Sequence, residues 1–151
     1  MNILVVYFSK FGNTQKIAQT VAEELEAAGV VRIVSSDRLA ASDLDDVDLV
    51  VMGSPTHRMN LPEAVRPVFE KLPKRSLRGA RVAAFDTSYQ MSAFLARFTA
   101  AKKLARQLRK LGGKRIVPPE TFYVMGREGP LYEGELNRAK EWVATLLGSL
   151  S

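Results

Sequence analysis

The sequence predicts an α/β fold in which a parallel sheet is covered on both faces by helices, giving three layers. Two observations carry this. Short, continuously apolar runs recur along the chain, as expected of strands buried on both faces. Strands alternate with helices from end to end, which favours parallel pairing.

The elements follow in order. Asn2 to Phe8 is the first apolar run, and Thr14 to Ala28 follows as a helix with Ile17, Ala18, Val21 and Leu25 on one stripe. Val30 to Val34 is a short β-branched run, and Val47 to Met52 is a third strand closed by Gly53-Ser54-Pro55. Asn60 and Pro62 read as the cap and first turn of a helix reaching Leu72, because proline in the first turn forfeits no helical hydrogen bond. Arg81 to Phe85 is a fourth strand, and a long helix runs from about Ser92 to Leu111, stopped by Gly112-Gly113. Lys114 to Val117 and Thr121 to Val124 form a fifth strand interrupted by Pro118-Pro119, which cannot donate to a ladder. Glu133 to Leu147 is the closing helix.

A chain of 151 residues is expected to form one domain, residues 1–151, around one core. With 46% apolar and 25% charged residues it has the make-up of a folded protein rather than a disordered one. It has no cysteine, which rules out disulfides, thiolate metal sites and a catalytic thiol. No leader pattern and no membrane-length apolar run is seen, so a cytoplasmic setting is expected. The net charge of +6 is unevenly spread. Residues 1–60 hold eight acids against five bases, residues 61–151 hold eight against seventeen, and Thr87 to Pro119 contains no acid.

In sheets of this kind ligands bind beyond the carboxyl ends of the strands, where the strand order reverses. The loops to inspect are therefore 9–14, 53–61 and 86–92. The first reads S-K-F-G-N-T. A glycine-bearing turn into a helix gathers backbone N–H groups and the positive end of a helix dipole, which suits a phosphate. Ser9, Asn13 and Thr14 add side-chain donors, Lys10 adds charge, and Gly12 permits a left-handed backbone. An ordinary capped βα turn would have the same composition. G-x-x-x-x-G-K-[ST] and G-x-G-x-x-G are both absent.

Residues 5–21, V-V-Y-F-S-K-F-G-N-T-Q-K-I-A-Q-T-V, resemble the FMN-phosphate signature of the flavodoxin family at Val5, Val6, Tyr7, Ser9, Gly12, Thr14, Ala18 and Val21. Element order and length are also similar to a short-chain flavodoxin. The resemblance implies a five-stranded parallel sheet in order 2-1-3-4-5, with FMN at the reversal between strands one and three. Phe11 departs from the pattern, standing where the family often has a third hydroxyl residue.

Gly53-Ser54-Pro55-Thr56-His57 looks like the family's second flavin loop, and His57 takes the position of the stacking aromatic. As the only histidine, it also admits a loop-surface or proton-transfer reading, but it is a poor metal site. Arg58 follows, favouring a negatively charged reduced flavin or an anionic substrate. The third loop offers Asp86, Thr87 and Tyr89. Asp86 either accepts from the flavin or caps the turn, and Tyr89 either stacks on the ring or is plain surface. The family's G-x-G-D is missing here, and no glycine follows Gly53 in the second loop, where carriers use one to turn a carbonyl toward flavin N5.

The implied function is an FMN-binding electron carrier working between redox partners through an edge-exposed flavin. The alternative is an FMN-dependent oxidoreductase acting on a small molecule such as a quinone or porphyrinogen, and a less favoured one is a flavin-free interaction domain. A phosphoryl-receiver module is rejected, because Ser9 and Ser54 stand where that class needs carboxylates. No residue is assigned a catalytic or metal-binding role. The helix at 102–110 pairs an apolar stripe with a basic face. That face is either merely solvated or a docking surface for an acidic redox partner, an anionic membrane surface or nucleic acid, and a stripe rich in alanine without large aromatics disfavours membrane insertion. No motif for specific nucleic-acid binding is present.

Overall fold

The computed structural model describes residues 1–56, 60–90 and 99–150. Its strands are β1 (Asn2–Tyr7), β2 (Val30–Ser35), β3 (Leu49–Pro55), β4 (Arg81–Ser88), β5 (Lys114–Arg115) and β6 (Glu120–Tyr123). Its α-helices are α1 (Asn13–Leu25), α2 (Arg66–Glu70), α3 (Ala100–Lys110) and α4 (Glu135–Ser149). The strands form one parallel sheet in order β2-β1-β3-β4-β5, and β6 continues the fifth position beside β4. The predicted three-layer sandwich and strand order are therefore observed.

Alternation along each strand divides the core. Ile3, Val5, Leu49, Val51, Ala83 and Phe85 face α1 and α4. Leu4, Val6, Val50, Met52, Val82 and Ala84 face α2, α3 and the loops around them. This is why the inner strands read as unbroken apolar runs: each residue is buried against one helical layer or the other.

Several elements differ from expectation. No helix joins β2 to β3; two 3-10 turns, Ser36–Arg38 and Ala41–Leu44, make the crossing, and Leu39 and Leu44 bury beside them. The second helix is shorter than predicted, a 3-10 turn at Glu63–Val65 leading into α2. Asn60 does not cap it. The Asn60 side-chain oxygen instead accepts from its neighbour's amide on Leu61 at 2.8 Å and from Lys103 Nζ at 2.7 Å. Thr99 is extended, so α3 starts at Ala100; residues 91–98 lie outside the described segments.

The proline pair in the fifth strand makes a bulge. Arg81 faces Lys114 and Phe85 faces Glu120, so four steps along β4 are matched by six on the partner. Beyond it β6 is the edge of the sheet, yet its outward groups are satisfied. The Thr121 amide donates to the Glu120 side chain, and the Thr121 carbonyl accepts from Arg138. The Tyr123 amide donates to Glu135, and the Tyr123 carbonyl accepts from the Tyr132 amide. A Glu135–Arg138 pair on α4 thus occupies positions another strand would need. Among the described residues no helix is long and apolar enough to cross a membrane.

Gly53, near the end of β3, has a packing reason to be glycine. A Cβ there would lie 2.1 Å from Cζ of Phe85, whose ring meets Phe122 and Trp142 edge-on at about 6 Å. Gly53→Ala is therefore expected to lower stability by about 1–3 kcal/mol, seen as a reduced urea midpoint. Adding Phe85→Leu should recover part of the loss caused by Gly53→Ala, whereas strictly additive losses would contradict this packing account.

Candidate functional site

The strand order reverses between β1, which continues toward β2, and β3, which continues toward β4. In open α/β sheets such a reversal leaves a crevice at the carboxyl ends of the strands. Into it leads the turn 8–12. The Phe8 amide bonds the Gly53 carbonyl at 3.0 Å, so the chain leaves β1 still attached to β3. Gly12 then takes φ 91°, the left-handed region that favours glycine, and turns the chain into α1. The Gly12 carbonyl accepts the first helical bond, from the Lys16 amide at 3.0 Å.

This start of α1 carries no side-chain cap and no acid in its first turn. The amides of Asn13, Thr14 and Gln15 precede the first intrahelical donor, and they collect at the positive end of a thirteen-residue helix. Ser9 Oγ accepts from the Gly12 amide at 3.0 Å, leaving its own proton available to donate. Lys10 is exposed beside the turn, its Nζ 5.4 Å from the centre of the Phe11 ring. Donors without acceptors in an acid-free concavity are chemically suited to a phosphate group, which supplies acceptors only.

Two expected donors are engaged elsewhere. Asn13 is buried, and its Nδ2 donates to the Glu128 carbonyl at 3.1 Å. Thr14 is also buried, its hydroxyl 2.8 Å from that of Thr87. These two side chains clamp the turn onto its neighbours, the hairpin at 124–131 and β4. The backbone donors remain for a ligand.

The exits of β3 and β4 are held together. The Thr56 amide donates to the Thr87 carbonyl at 2.9 Å, and the Thr56 hydroxyl accepts from the Ala100 amide at 2.9 Å while donating to Asp86 Oδ2. Asp86 is fully buried, so its carboxylate stands behind the crevice instead of on its surface. Ser54 is likewise buried, its hydroxyl donating to the Pro55 carbonyl at 2.9 Å, and Pro55 is half-buried. His57 and Arg58 lie outside the described residues.

Burial pushes the Asp86 carboxyl up to about 6 from an ordinary 3.8; the hydroxyls of Thr121 and Thr56 and the amides of Ala101 and Ala100 only partly oppose it. Asp86 Oδ1 has no hydrogen-bond partner among the described residues.

Three exposed apolar side chains follow strand ends here. Phe11, Tyr89 and Met125 are 40%, 49% and 60% exposed, and all three follow strand ends on this side of the sheet. Scattered apolar exposure needs no explanation, but large side chains gathered at one crevice suit a flat ring. Met125 was not singled out from sequence, where the loop at 126–134 admits an approach to the ring but carries no motif that assigns it one. The hairpin turns back on itself, with the Met125 amide bonding the Pro130 carbonyl at 2.8 Å and an antiparallel bridge from Val124 to Leu131. The one sequence signal was Met125 itself, a large apolar residue directly after an apolar strand and before Gly126.

Comparison with known proteins agrees with this geometry. A family model described as Flavodoxin matches residues 5–142. A flavodoxin from Clostridium saccharobutylicum is 24% identical over 90 residues, and the match spans 58% of this chain and 56% of that protein. Among solved structures, oxidised Flavodoxin 2 from Bacillus cereus superposes with TM-score 0.80 at 19% identity, over 98% of this chain and 99% of that one. A flavodoxin from the domain Archaea gives 0.77 at 18% identity, covering all of both chains. At such identities the structural likeness establishes the fold.

The buried Asp86 makes stability depend on pH in a definite sense. Its folded value lies above the ordinary one, so its contribution is full below about pH 4 and is lost as pH rises through about 6. Asp86→Asn has no such loss. Between pH 4 and 7.5 its unfolding free energy should therefore fall less than that of the parent chain, by on the order of 3 kcal/mol. Urea midpoints at the two pH values measure this, and parallel behaviour of the two proteins would contradict it.

Proposed function

The chain belongs to the flavodoxin family, and on that premise we propose that it binds FMN in the crevice and carries electrons between protein partners. The observation that carries the reading is the uncapped start of α1 behind the left-handed Gly12, with no acid in its first turn. In this reading the amides of residues 13–15 and the Ser9 hydroxyl hold the phosphate, and Lys10 adds attraction. The Thr14–Thr87 hydroxyl pair fixes the turn against β4. Tyr89, Phe11 and Met125 give the ring an apolar seat; His57, the expected stacking residue, and Arg58 lie outside the described residues. Thr56 and the buried Asp86 support that seat from behind. Bound there, FMN supplies the electron chemistry, and the protein supplies binding, orientation and electrostatics.

A small-molecule oxidoreductase is the second reading, favoured by the net charge of +6 and by residues 54–61, which contain no glycine to let a carbonyl turn toward the ring. Fast turnover of a quinone by the reduced protein, with no transfer to protein acceptors, would move the assignment to that reading.

Flavin fluorescence titration tests the site. Two hydrogen bonds to a charged phosphate correspond to roughly a hundredfold in affinity, so FMN should bind that much more tightly than riboflavin. Lys10→Glu changes an exposed residue and should weaken FMN by about tenfold while leaving riboflavin unaffected. Equal affinities for the two flavins, or no binding of either, would overturn the proposal.

A further inference from the structure

We propose that the exposed basic face of α3, extended by the loop at residues 74–78, is the docking surface for an acidic redox protein. Its redox role rests on the FMN reading; its geometry does not. α3 buries Ala101, Leu104, Ala105 and Leu108 and exposes Lys102, Arg106, Arg109 and Lys110. The loop adds to this ridge from another part of the sequence. Leu77 packs with Leu104 and Leu108, its amide donates to the Leu111 carbonyl at 3.0 Å, and Gly112 lies against the Arg78 backbone. Lys74, Arg75 and Arg78 are therefore exposed beside the last turn of α3.

Spacing alone shows only an amphipathic helix; the assembled surface shows more. Lys102, Arg106, Arg109 and Lys110 have no ion-pair partner among the described residues, whose ion pairs join Arg32 to Asp43 and Arg138 to Glu120 and Glu135. Like charges at i,i+3 and i,i+4 repel along the helix. The helix dipole favours cations only at the final turn, which covers Arg109 and Lys110 but not Lys102 or Arg106. α3 itself contains no acid. A surface that repels itself is relieved by an acidic partner, which also gains from electrostatic steering.

Placement selects a redox partner. α3 begins at the crevice, its first amide bonded to Thr56, and Lys102 lies within the first turn. From Lys102 to Lys110 the ridge runs about 12 Å away from the rim. A protein seated on the ridge therefore reaches the end of α3 that is bonded to Thr56 at the exit of β3. The exposed residues of α3 include no aromatic to stack bases and no large apolar side chain to enter a membrane.

The test is titration calorimetry with an oxidised, acidic [2Fe–2S] ferredoxin as probe, using both flavin-free and FMN-loaded protein. Affinity should fall about tenfold between 20 and 200 mM salt, and the triple variant Lys102→Glu, Arg106→Glu, Arg109→Glu should lose about tenfold more at low salt. Circular dichroism and FMN affinity of the variant should match the parent. Unchanged ferredoxin affinity in the variant would overturn the docking surface whether or not FMN binds, whereas failure to bind FMN would overturn only the redox role. Tighter binding of duplex DNA or phosphatidylserine vesicles than of ferredoxin at equal salt, lost in the variant, would also overturn it.

Discussion

The contact between Gly53 and the Phe85 ring is the constraint on which the rest of the site depends. It lets β3 lie over an aromatic cluster in which Phe85, Phe122 and Trp142 meet edge to face. That cluster ties β4, β6 and α4 together at the same level of the sheet. The strand exits at 55–56, 88–89 and 124–125 consequently emerge side by side, joined by the Thr56–Thr87 and Val124–Ser88 backbone bonds. A crevice needs walls of matching height, and this packing sets them. Gly53 opens a segment that family resemblance ties to a ligand, yet its own reason for being glycine is in the core.

How much was legible in the sequence depended on the range of the interaction concerned. Apolar runs such as 3–6 and 49–52 announced strands buried on both faces, and the turn S-K-F-G-N-T announced a left-handed glycine leading into a helix with no acid in its first turn. Both are local patterns. The destinations of polar side chains were not legible. Asn13 and Thr14 look like ligand donors in one dimension, but they bond Glu128 and Thr87, 115 and 73 residues away. Asp86 reads equally well as a turn cap or a flavin contact, and only packing shows it sealed behind Thr56. A short polar side chain at a strand end can face water, ligand or neighbour at similar local energy. The fold decides among them.

The helices show the same division between local and distant determinants. The amphipathic stripe of α3 was plain from its spacing, whereas the basic loop beside it belongs to that surface only because Leu77 is drawn into the same core. Pro62 suggested a helix start that became a 3-10 turn, since Asn60 was claimed by Lys103 and Leu61 instead of capping. Gly12 and the bare start of α1 stand out for the opposite reason. An uncapped terminus leaves amide groups unanswered, and natural helices generally satisfy them with a side chain, water or a bound group.

The treatment of the β6 edge has a consequence for self-association. Stacking of sheets into long polymers requires that each copy be adhesive at both ends. Here Glu135, Arg138 and the Tyr132 amide occupy the outward backbone groups of β6, the longer strand at one end, while β2 terminates the other with a single neighbour. Any copy recruited through β2 would in turn present only a blocked end, so accretion by strand addition halts at a pair.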